Sequence, residues 1–136
     1  MSRRSINILL GTAALLLGCS IYVVFRSDSY VAGFFDRFRW ILFLRVQFAP
    51  FGMGFLKFWF PDFLWGLSLG CYLQAIHLSK LRGTLLFGSI SFLCGATWEL
   101  LQLVAIVPGT GDWLDILLYF LASAICVRIN LKERVT

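Results

Sequence analysis

From Ile6 to Phe25 the chain runs without one acidic or basic side chain, and Arg3, Arg4 and Arg26 flank the run. A helix of that length, rising about 1.5 Å per residue, reaches across the roughly 30 Å hydrocarbon layer of a bilayer. Inside that layer each backbone polar group needs a partner within the protein, which restricts the segment to helix or closed barrel. A spanning helix is therefore expected over residues 6–25. The run also resembles a secretory signal, and Leu16-Leu17-Gly18-Cys19 resembles a lipoprotein cleavage box. Its apolar character continues through Ile21-Tyr22-Val23-Val24-Phe25, too far for the hydrophobic region of a signal, so an uncleaved anchor is expected.

The rest of the chain matches that solvent. Its 136 residues are 60% hydrophobic and 14% charged, with a mean hydropathy of +0.84. A soluble domain is about 45–50% apolar and about 25% charged, so a water-exposed globule is excluded. An aromatic content of 17% excludes disorder as well. The net charge of +5 comes from Lys and Arg dispersed between apolar segments rather than gathered on one face. That pattern excludes a nucleic-acid partner and leaves membrane lipids, a membrane protein or a second copy of the chain. Cys19, Cys71, Cys94 and Cys126 lie singly within apolar segments, with no CxxC pair, and read as small buried residues.

Three further spans follow. One is expected over 62–77, opened by Pro61 and Asp62, because proline suits the first helical turn and a carboxylate suits its positive end. Another is expected over 84–107 after Lys80-Leu81-Arg82-Gly83. Pro108-Gly109-Thr110-Gly111-Asp112 then breaks the pattern before a last span over 113–127. The expected fold is a single all-α integral membrane domain, residues 1–136, with four transmembrane helices. Arg3, Arg4, Lys80, Arg82, Arg128, Lys132 and Arg134 fall on the side of the termini, whereas the 108–112 turn has no Lys or Arg. Positive charge favours the cytoplasm, so both termini are expected there. Residues 26–60 run against this rule, placing Arg26, Arg37, Arg39, Arg45 and Lys57 outside. This stretch is dense in Phe and Trp but interrupted by Arg45, Pro50, Gly52, Gly54 and Lys57, which suits an aromatic-rich interfacial or re-entrant segment.

Seven acidic residues remain to be placed. Asp28, Asp36 and Glu133 belong in water. Asp62 opens the second span, Asp112 and Asp115 open the fourth, and Glu99 lies about 12 Å inside the third at 1.5 Å per residue. Residues three or four apart share a helix face, which pairs Glu99 with Gln102 and aligns Asp112, Asp115 and Tyr119. An ionisable group facing lipid costs about 2.5–3.5 kcal/mol on insertion scales, so the two faces are expected to turn inward and meet. Arg37, Arg39 and Arg45 are candidate salt-bridge partners for these acids or contacts for a head group. Oxygen ligands could hold a hard cation, but no metal motif is present, and no metal or cofactor is expected. Gly66 and Gly70, with Gly88, Ser91 and Gly95, supply small-residue surfaces for helix packing. His77 falls beside Ser79 and Lys80, far from the acids, and neither a serine–histidine pair nor a phosphate loop is found.

Pro61 to Ile129 resembles the VanZ-like family of small bacterial membrane proteins. The shared features are Asp62 opening a span, Glu99-x-x-Gln102 late in the next, the Pro108-Gly109 turn, and Asp112 and Asp115 opening the last. The chain departs from the family at Thr110, where Arg is common, at Tyr119 and Ala122, where Asn and Gly are common, and at Leu64-Trp65-Gly66, where a histidine often occurs. The resemblance implies a multi-span protein of a bacterial cytoplasmic membrane, linked in some members to glycopeptide-antibiotic resistance. The expected function is binding of a cell-envelope lipid or glycolipid head group by Asp62, Glu99, Gln102, Asp112, Asp115 and Tyr119. One alternative is an accessory subunit of a membrane complex whose acids form a structural network. Another is a membrane enzyme with Glu99, Asp112 and Asp115 as acid and base.

Overall fold

A computed structural model describes residues 2–25, 54–76 and 81–132, with the side chains of residues 56 and 132 left aside. All regular structure among them is helical: α1 (Arg3–Phe25), a short α2 (Gly54–Phe58), α3 (Phe60–Ile76), α4 (Leu81–Leu103) and α5 (Trp113–Lys132). Three of these, α1, α4 and α5, are long and apolar enough to cross a membrane. Their large apolar side chains, such as Leu9, Leu16, Leu86, Leu93 and Leu117, are exposed on the outside of the bundle. Arg37, Arg39, Arg45, His77 and the aromatic stretch up to residue 53 lie outside the described residues.

The shorter α3, 17 residues and about 26 Å long, packs against α1, α4 and α5 and forms the middle of the bundle. Each outer helix turns a narrow stripe of small or polar side chains toward its neighbours in the bundle. On α1 the buried stripe is Asn7, Gly11, Ala14 and Gly18. On α4 it includes Thr84, Gly88, Ser91, Gly95 and Glu99. On α5 it includes Asp115, Tyr119, Ala122, Cys126 and Asn130. Steps of three and four residues keep each stripe on one face. In lipid, small side chains let backbones approach and dispersion contacts accumulate, and this replaces the hydrophobic drive of a water-soluble core. Contrary to the reading of four buried cysteines, only Cys71 and Cys126 are buried, whereas Cys19 and Cys94 are exposed. Their positions on the outer faces of α1 and α4 account for the difference.

Several helix ends differ by a few residues from the expected spans, α1 starting at Arg3 and α4 at Leu81, and the differences at two C-terminal ends are the largest. The third long helix stops at Leu103 instead of Val107. Ala105 takes a left-handed φ of 56°, its N–H donates to Gln102 O at 2.9 Å, and the Ile106 N–H donates to Leu101 O at 2.9 Å. This pair of bonds is a Schellman cap with alanine in the position usually held by glycine. The last helix runs on to Lys132, past the expected end at 127. Asp112 caps its start, the Leu114 N–H donating to Asp112 Oδ1 at 2.9 Å.

Candidate functional site

Successive long helices alternate in direction, so the start of α3, the end of α4, the start of α5 and the end of α1 share one end of the bundle. A cavity of about 350 Å³ opens there. Tyr22 of α1 lines it, as do Asp62 and Trp65 of α3, Trp98, Glu99 and Gln102 of α4, Asp115 of α5, and Pro108, Gly109 and Thr110 of the turn. Glu99 and Asp115 are buried, and Asp62 is half-buried.

Tyr119 sits behind the acids where α3, α4 and α5 meet. Its ring lies in a slot between two glycines: a Cβ on Gly66 would come within 2.7 Å of Tyr119 Cδ1, and one on Gly95 would overlap the ring. So confined, its hydroxyl donates to Asp62 Oδ1 at 3.3 Å and ties α5 to the start of α3. The glycines that read as packing surfaces in the sequence thus also position a site residue.

Asp112 does not line the cavity. Its carboxylate accepts from the Leu114 N–H and, at 3.1 Å through Oδ2, from the Trp59 indole N–H. Its own N–H donates to Glu99 Oε2 at 3.3 Å. Trp59 is the turn residue between α2 and α3, so this chain of bonds ties the start of α3 to the α4–α5 connection. The Leu114 N–H first, and the Trp59 indole second, hold the Asp112 carboxyl below its ordinary pKa, against a smaller effect of desolvation.

Gln102 supports the turn as well as facing the cavity. Its amide donates to Pro108 O at 3.5 Å and packs across Gly109, whose φ of 144° and close approach to the amide suit a residue without Cβ. Of the six residues expected to cluster, Asp62, Glu99, Gln102 and Asp115 line the cavity, Tyr119 braces one of them, and Asp112 acts as a cap. The aromatic walls Tyr22, Trp65 and Trp98 were not singled out from sequence. Their signal is modest: Trp65 follows Asp62 by three residues, and Trp98 and Tyr22 lie near span ends where interfacial aromatics gather. Tyr22 and Trp65 lie 5.3 Å apart, centroid to centroid, joining α1 to the wall. Among the described residues no group of three His, Cys, Asp or Glu side chains is placed to hold a metal ion. Comparison with family models, curated proteins and solved structures finds no match to this chain.

Proposed function

We propose that this chain is a four-span protein of a bacterial cytoplasmic membrane, VanZ-like in type, that binds the head group of an envelope lipid or glycolipid at its outer leaflet. The observation that carries this reading is the cavity at one end of the bundle, where carboxylates, an amide and three aromatic side chains from four helices meet. Its volume of about 350 Å³ falls at the lower end of the 300–1,000 Å³ of small-molecule sites, the scale of a head group rather than a whole lipid. Carboxylates and the Gln102 amide offer hydrogen bonds to sugar hydroxyls or amines, and the indoles offer flat apolar faces. In this reading α3 is the fourth span, and the lack of Lys or Arg in the turn between α4 and α5 supports its placement outside. Support of envelope function or antibiotic resistance would follow from holding such a lipid.

The Asp112 bonds favour a second reading, in which the acids serve as a structural network within an accessory subunit. Purified protein titrated with phospholipids and glycolipids in native mass spectrometry, beside E99Q and D115N variants, separates the two. Folded variants with lost head-group binding support the site, whereas variants that bind normally, or that fail to fold, support the network. An acid–base enzyme is the remaining alternative, and turnover of a lipid-linked sugar or phosphate by the purified protein would reveal it.

A further inference from the structure

In the second half of both α3 and α5, away from the cavity, Cys71 and Cys126 meet with their sulfurs 3.8 Å apart. They stand 55 residues apart in the chain, and both are fully buried. Close approach of the two helices brings them together: a Cβ on Gly70 would lie 3.3 Å from Cys126 Cβ and Sγ. The setting is not purely apolar, since the Asn130 amide donates to Cys126 O at 2.9 Å and lies 3.9 Å from Cys126 Sγ. The same seam carries the Tyr119–Asp62 bond nearer the cavity. We propose that Cys71 and Cys126 form an oxidisable dithiol that closes to a disulfide and locks α3 onto α5.

A disulfide needs sulfurs at about 2.05 Å on helices whose backbones are already close, so closure asks for a small sulfur displacement rather than a rearranged fold. In the step an Sγ–Sγ bond replaces two S–H bonds, and two protons and two electrons leave. A quinone dissolved in the lipid phase accepts both pairs and becomes the quinol, which balances the reaction. Burial makes the reduced pair unreactive while the seam is closed, so oxidation proceeds during transient separation of α3 and α5.

The test uses the full chain in lipid nanodiscs with the exposed thiols removed (C19S/C94S), leaving only the pair. The sample is treated with a fully substituted benzoquinone, then denatured and alkylated with N-ethylmaleimide. The expected result is a monomer lighter by two hydrogens that takes up no label, with a Cys71–Cys126 linked peptide. With C71S added to the same background, the monomer should still take up one label. Two labels per chain after quinone treatment, quinone adducts, or disulfides only between chains would each overturn the proposal.

Discussion

Where α1 begins and α5 finishes, Asn7 and Asn130 exchange amide hydrogen bonds at 2.8 and 3.2 Å, both side chains buried. Nearby, Gln74 donates to Thr84 O at 2.8 Å. At the opposite end, Asp62, Glu99 and Asp115 line a cavity, Asp62 accepting from the Tyr119 hydroxyl and Glu99 from the Asp112 N–H. The first end uses neutral amides in direct contact, which suits helix association in lipid. The second places ionisable groups along a cavity, a costlier arrangement in a membrane. Polar groups at one end therefore join helices directly, whereas those at the other line the cavity that the proposed function fills.

The contrast can be broken most strongly at the slot for Tyr119. G95V places a branched side chain where the ring now lies, and overpacking of this kind costs about 1–3 kcal/mol. A thermal melt in detergent should show a lower midpoint and head-group binding should fall with it; unchanged binding would show that the Tyr119 brace is dispensable. E99Q and D115N probe the cavity more gently, since each nearly preserves shape, and the amide oxygen introduced by E99Q could still accept the Asp112 N–H. Head-group affinity is expected to fall at least tenfold, about 1.4 kcal/mol, with little change in the melt.

At the amide end the effects should reverse. N7L removes an interhelical pair in lipid, where such bonds average about 0.6 kcal/mol, and should lower the melt slightly without changing head-group affinity. A loss of binding in N7L would mean that the ends are coupled. The smallest effect concerns acid. Because the folded-state pKa of Asp112 is lowered, its bonds to Leu114 and Trp59 add stability above the ordinary carboxylate pKa of about 3.9. That contribution is lost as pH falls through the lowered value. The melting midpoint of D112N should therefore lie below that of the unaltered protein at neutral pH, with the gap closing toward pH 3.

Hydropathy made the helices visible, and spacing of three and four residues put Glu99 and Gln102 on the face that meets the cavity. Other features depend on information that a single segment does not carry. Whether Asp112 points inward or caps α5 depends on one residue's backbone, and its type suits both. The stop at Ala105 has no glycine to announce it. Asn7 and Asn130 are 123 residues apart, and Cys71 and Cys126 occupy separate helices, so both pairs exist only after packing. The role of Gly66 and Gly95 likewise emerges only with the ring between them.

The central claim, that the acidic end holds a lipid head group, is tested most directly by placing a photoreactive p-benzoylphenylalanine at Trp98 and illuminating the full chain in native membranes. Trp98 lines the cavity and is half exposed. The account predicts a covalent adduct with a lipid attached through its head group, reduced when E99Q is combined with the probe. Attachment through acyl chains alone, or only to the chain's own residues 26–53, would contradict it.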